Sequence, residues 1–219
     1  MVTLQDVKKN PIIDSFIGKG NEYLGVMGFT EHSYRHLNLV SNIAYNILRE
    51  LGHPERDAEL AAIAGYLHDI GNVISRNEHG ISGANLCFPI LINMGMPPAE
   101  VATVISAIAN HEESHGQPVN NVAAALIVAD KSDVNRARVR NPDFVTFDIH
   151  DRVNYAVEKS ALSVDSARRT ITMDLTINTE ICPVMEYFEI FLTRMMLCRR
   201  AANFLNCNFE LVINGSKLL

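Results

Sequence analysis

Apolar residues recur along most of the chain at the three-and-four spacing of amphipathic helices. Leu37, Val40, Ala44, Ile47, Leu48 and Leu51 form one such face, opened by Thr30 or Ser33 as a cap and closed by Gly52-His53-Pro54. Glu55 to Ile70 follows as a helix, with Leu60, Ala61, Ile63, Ala64 and Leu67 making most of it buried and Gly71 placed to end it. Asn72 to Gly80 reads as a polar loop, and Ser82 as the cap of a helix reaching Met94, kinked at Pro89. Pro98 to His111 is amphipathic through Val101, Val104, Ile105 and Ile108, and Val119 to Asp133 through Val122, Ala123 and Leu126. Ahead of these, Leu4 to Gly28 reads as one or two short helices around Pro11.

The pattern changes near Asn141-Pro142. Asp151 to Ala161 still reads as a helix, but Thr170 to Ile177 alternates and is rich in β-branched residues, which predicts a strand. Val184 to Leu205 reads as a long helix whose Met and Phe stripe is core, and Phe209 to Ile213 as a last strand. The expected architecture is mainly α: a helical bundle over residues 1–145, then a small α+β unit over 146–219.

A chain of 219 residues with 47% hydrophobic residues can bury a sizeable core. Its net charge of −6 argues against a general nucleic-acid or membrane-surface binder, which needs a basic face. Cys87, Cys182, Cys198 and Cys207 show no C-x-x-C spacing, so reduced, buried thiols in a cytoplasmic protein are expected. The N-terminal stretch lacks a signal-peptide core, and no run is apolar enough to span a bilayer.

The chemistry concentrates at Gly65-Tyr66-Leu67-His68-Asp69-Ile70-Gly71. An imidazole beside a carboxylate at the end of a buried helix needs partners, because an unpaired buried charge is costly. Other polar residues interrupt neighbouring apolar faces: His36, with His32 one turn back, then His111 and Asp130, while His79 opens the helix after the central loop. A shared divalent ion would satisfy them. Mixed imidazole and carboxylate ligands suit Mn, Fe, Co, Ni or Zn, and with water Mg, rather than a cysteine-rich structural zinc site.

The order His36, His68-Asp69, Asp130 resembles the H…HD…D signature of the HD-domain metal-dependent phosphohydrolases, in its HDIG form. His79-Gly80-Ile81-Ser82-Gly83 resembles the family's H-P-x-x-G segment, Asn110-His111-Glu112-Glu113 its H-H-E segment, and Val128-Ala129-Asp130 its V-A-D. The resemblance covers roughly residues 30 to 135 and rests on five ordered matches. It implies a helical HD bundle holding one or two divalent ions on His36, His68, Asp69 and Asp130, with His79 and His111 serving a second ion. The implied reaction is hydrolysis of a phosphoester or phosphoanhydride in a small, nucleotide-like molecule, with Asp69 beside the attacking water. Asn72 stands where many HDIG proteins carry Lys, Pro is missing after His79, and Asn110 replaces a His.

Lys131 and Arg136, in the basic run after Asp130, are candidates to grip the substrate phosphate, and His32 and His115 are candidate substrate contacts. The C-terminal unit is expected either to cover the pocket or to form a homodimer contact. Two other readings share the ligand set: a di-iron oxygenase, and a catalytically weak nucleotide or metal sensor, which Asn72 and Asn110 invite.

Overall fold

The computed structural model describes residues Met1–Leu219. The helices are α1 (Leu4–Lys8), α2 (Pro11–Val26), α3 (Tyr34–Glu50), α4 (Glu55–Leu67), α5 (His79–Asn93), α6 (Pro98–Ala109), α7 (Asn121–Lys131), α8 (Ile149–Ala156) and α9 (Val184–Phe204). The strands are β1 (Val157–Asp165), β2 (Thr170–Ile177), β3 (Asn208–Ile213) and β4 (Ser216–Lys217).

Two helices that are apolar on every side, α4 and α7, form the centre, as an all-round hydrophobic pattern requires. In α4 nine residues from Ala58 to Leu67 are buried, and in α7 every residue from Val122 to Lys131. The small residues of α4 let α3 approach closely: a Cβ on Gly65 would lie 2.9 Å from the Ser41 Cα. The Ser41 hydroxyl donates to the Ala62 carbonyl at 2.8 Å, satisfying a buried polar group within that contact. Each fully buried Leu or Ile here stabilises by about 1.5–3 kcal/mol relative to exposure.

The sheet order is β1-β2-β3-β4, with β1–β2 and β3–β4 antiparallel and β2–β3 parallel. A parallel pair needs a long crossover, and α9 supplies it. Phe191, Met195, Leu197, Cys198 and the inward residues of β2 and β3 belong to the same apolar cluster as Ile63, Leu67 and Leu126. The C-terminal unit therefore packs directly on the helices around α7.

Several local expectations are corrected. Val157–Ala161 is strand, not helix: α8 ends at Ala156, and the chain pairs with β2 instead. Gly71 does not terminate α4; it lies inside a 3₁₀ turn, Ile70–Val73, and Asn72 is buried rather than in a solvated loop. The next helix begins at His79, three residues before Ser82, because Glu78 adopts the left-handed conformation (φ 55°) and turns the chain there. Ser33 occupies the first cap position of α3 without capping it; its backbone N–H and hydroxyl bond Glu31. The stripe on α9 is only partly core, since Met185, Leu192 and Met196 are half or more exposed.

Candidate metal centre

His36 projects from α3, His68 and Asp69 follow the end of α4, His79 opens α5, His111 follows α6, and Asp130 lies in the last turn of α7. All six side chains are buried; His36, His68 and Asp130 converge in one group and His68, Asp69 and His111 in another, with His79 Nε2 3.2 Å from Asp69. His36 and His79 lie at the starts of α3 and α5, and His68, Asp69, His111 and Asp130 at the ends of α4, α6 and α7, so the packing of these helices brings distant residues together.

The imidazoles are oriented one by one. Nδ1 of His68 donates to the Gly65 carbonyl at 2.8 Å, that of His79 to the Arg76 carbonyl at 3.1 Å, and that of His111 to the Ile108 carbonyl at 2.6 Å. His36 Nδ1 donates to Asp133 at 2.7 Å. These acceptors carry no hydrogen, so each neutral ring has its hydrogen on Nδ1 and a lone pair on Nε2. The Nε2 atoms then face each other in two pairs: His36–His68 at 3.2 Å and His79–His111 at 3.1 Å. Lone pairs opposed at such distances repel unless a cation or a proton lies between them.

Asp69 spans both pairs. Its Oδ2 lies 3.2 Å from His68 Nε2 and 3.5 Å from His36 Nε2, and its Oδ1 lies 3.2 Å from His79 Nε2. Asp69 Oδ2 is buried without a hydrogen-bond partner, an orphaned acceptor that a cation would satisfy. Asp130 places Oδ1 at 3.4 Å from both His36 and His68, while Lys131 Nζ donates to its Oδ2 at 2.6 Å. The donor set, imidazole nitrogens and carboxylate oxygens with no thiolate, fits a divalent ion such as Mn, Fe, Co, Ni or Zn.

The charges are strongly coupled. Burial works to raise Asp69 and Asp130, but His68 beside both and Lys131 beside Asp130 hold them well below the usual carboxylate range. Burial works to lower His68, but Asp69 and Asp130 outweigh it and hold the ring up at about 10. Burial, with His79 and His68 nearby, pushes His111 down to about 3.

Supporting residues complete the frame. Asn72 donates to Asp69 at both the carbonyl, 2.9 Å, and Oδ1, 3.0 Å. Asp133 is gripped by Arg35 through two bonds of 3.2 and 2.9 Å while it orients His36, the arrangement that fixes ligand histidines in metal sites. Glu112 accepts from the Gly80 N–H at 2.6 Å and lies 3.4 Å from His79 Nδ1, tying the start of α5 to the turn after α6. Asn110 donates to the Ser106 carbonyl and serves the helix end.

The remaining candidates divide. His32 is buried, donates from Nδ1 to the Thr30 carbonyl at 2.7 Å, and lines the cavity beside the cluster, whereas His36 Nε2 lies 3.2 Å from His68 Nε2. Burial pushes His32 well below the usual histidine range, so its ring is neutral. Lys131 lines that cavity too, held by Asp130 and by Glu113 at 3.1 Å. Arg136 does not face the site: α7 stops at Lys131, the helical phase is lost, and Arg136 lies over Tyr155 with Glu158 at 3.7 Å. His115 is exposed, bonded to Ser114 and outside the cavity lining. In their place stand Arg76, Arg138 and Arg194, which line the cavity and carried no periodic signal in the sequence.

The family model described as HD domain matches residues 32–135. The matched segment runs from His32 through α7 and includes all six converging side chains. The HD superfamily consists mostly of metal-dependent phosphohydrolases. The chain is also similar to the uncharacterized protein MJ1020 of Methanocaldococcus jannaschii, 25% identical over 196 residues, covering 78% of this chain and 74% of that protein. No helix is long and apolar enough to cross a membrane.

Proposed function

We propose that the chain is a metal-dependent phosphohydrolase that cleaves a phosphoester or phosphoanhydride in a small, nucleotide-like molecule. The observation that carries this reading is the pairing of four Nε2 lone pairs around Asp69, which has one oxygen at each pair. His36, His68, Asp69 and Asp130 would hold one divalent ion, and His79, His111 and Asp69 a second. Such ions acidify a water and offset charge on a phosphoryl oxygen.

Asp69 stands where it can take the proton of the attacking water. The water oxygen forms a new bond to phosphorus, the ester P–O bond breaks, and the departing oxygen takes a proton from solvent in the adjoining cavity. Lys131, beside Asp130, and Arg138, near Asp133, are both buried and line the cavity, where they oppose the negative charge that grows on the phosphoryl group. Asn72 and Asp133 act through the ligands they orient. We assign the metal-bearing unit to residues 1–145 and a C-terminal unit to 146–219. The end of the HD segment at 135 and the position of all four strands after residue 156 support this division.

The test is phosphate or nitrophenolate release from a panel of nucleotides and bis(p-nitrophenyl) phosphate with Mn, Co or Mg. Turnover that falls to background in Asp69→Ala is expected. Metal uptake without turnover of any compound would overturn the hydrolase assignment; oxygen consumption with an organic substrate would replace it with oxidative chemistry.

A further inference from the structure

Next to the metal centre lies a second, larger cavity of about 260 Å³, near the small end of ligand pockets. Four residues line both spaces: His32, Arg76, Arg138 and Arg194. The three arginines come from separate segments, the loop after the 3₁₀ turn, the 3₁₀ turn Arg136–Arg138, and α9. Arg138 and Arg194 lie outside the HD segment.

These guanidiniums are held in place but incompletely paired. Arg194 lies over the Phe191 ring at 4.4 Å and Arg76 over Phe29 at 5.6 Å, contacts that fix their planes. Arg194 meets Glu113 at 2.6 Å, but the nearest carboxylate to Arg76 is Asp69 at 3.9 Å. Arg138 is buried, has Asp133 at 3.7 Å, and its Nε–H has no partner. A buried guanidinium with a free N–H is costly unless an anion completes it.

The part of the lining not shared with the metal centre carries acceptors. Asp148, Asp151 and Asn154 of the α8 segment face the same cavity. Asn154 donates one amide hydrogen to the His150 carbonyl at 2.8 Å, and its Oδ1 can accept. Neither aspartate forms an ion pair with Arg76, Arg138 or Arg194. The arginines thus line the boundary shared with the metal centre, while these acceptors line only the outer cavity, and no ion pair joins the two sets. Carboxylate and amide acceptors side by side suit neutral hydroxyls, and a vicinal diol can meet one carboxylate with two hydrogen bonds.

We propose that this cavity seats the organic part of the substrate, a phosphate monoester of a hydroxyl-bearing body such as a ribosyl group: Arg76, Arg138 and Arg194 hold the phosphate toward the metal centre, and Asp148, Asp151 and Asn154 read the hydroxyls. The proposal rests on the hydrolase reading for the direction of the phosphate, and it gives the C-terminal unit the role of selecting the substrate.

Calorimetric titration of the EDTA-treated full chain tests it without turnover, using ribose 5-phosphate, adenosine 5′-monophosphate, phenyl phosphate and inorganic phosphate. Both ribosyl phosphates are expected to bind at least about tenfold more tightly than phenyl phosphate or inorganic phosphate. Tighter binding of the nucleotide than of the sugar phosphate identifies a nucleotide ligand; equal binding identifies the ribosyl phosphate itself. Asp151→Ala should bring the preference within about twofold while phenyl phosphate binding holds. Arg194→Gln and Arg76→Gln, both partly exposed, should each weaken all four probes about tenfold. A wild type without preference, an Asp151→Ala variant that keeps it, or arginine variants with unchanged affinities would overturn the proposal. Equal hydrolysis of phenyl phosphate and ribose 5-phosphate by the Mn-loaded chain would also overturn it and leave the hydrolase assignment standing. Preferential binding without any hydrolysis would do the reverse.

Discussion

The hydrogen bond that each ring makes at Nδ1 decides what His36, His68, His79 and His111 can do. With Nδ1 committed to an oxygen, Nε2 is the only donor left for a cation, and all four converge. His68→Ala and Asp69→Ala should therefore abolish metal binding with the helical circular dichroism intact; full occupancy in both would contradict the assignment. His111→Ala removes a donor from one pair only, so elemental analysis should show about one ion per chain lost and the other retained. Asn72→Ala deletes both bonds to Asp69 and should weaken metal binding about tenfold, the usual scale for partners that orient ligands. Burial raises the Cys87 and Cys198 thiols to about 12. A raised thiol pKa keeps the unreactive S–H form to higher pH, so neither should react with a disulfide reagent between pH 7 and 9 until the chain unfolds. Rapid labelling of native protein at pH 8 would refute this.

Elements act here as spacers that bring side chains to one depth. The contact between the 3₁₀ turn and α5 is the tightest: a Cβ on Gly71 would overlap the His79 carbonyl and approach the Gly83 nitrogen at 2.5 Å. Both neighbours are backbone, so neither can give way. Gly71→Ala should drive the turn from α5, displace His79 from His111, and destabilise by about 1–3 kcal/mol or more. Thermal melts and metal counting on the same variant check both effects. The Gly65 contact with Ser41 makes the same demand between α3 and α4, at the residue whose carbonyl orients His68.

Across the whole molecule, one apolar cluster joins the bundle to α9 and the sheet, and the cavity walls come from both. A bound ion stabilises only the folded arrangement, because the unfolded chain scatters the six groups. Saturation to a hundred times the dissociation constant is worth about 2.7 kcal/mol, or roughly 5–10 °C in Tm for a chain of this size. Adding EDTA to metal-loaded protein should lower Tm by that amount, and excess Mn should restore it; an unchanged Tm would mean that no ion is held.

Much of this was legible before folding was considered. Helical periodicity located the bundle, since burial of one stripe leaves a repeat in the sequence whatever the tertiary arrangement. Polar residues breaking those stripes marked His36, His68, Asp69, His111 and Asp130, because a buried imidazole or carboxylate needs a reason. The sequence could not reveal Arg138 and Arg194, nor release Arg136 from its expected place. Those side chains depend on where α7 stops and on how α9 crosses from β2 to β3. Val157–Ala161 likewise became strand only because β2 offered it a hydrogen-bonding edge. Local periodicity determines which face of a segment is buried; which distant face meets it, and so which charges share a cavity, is settled only when the segments pack.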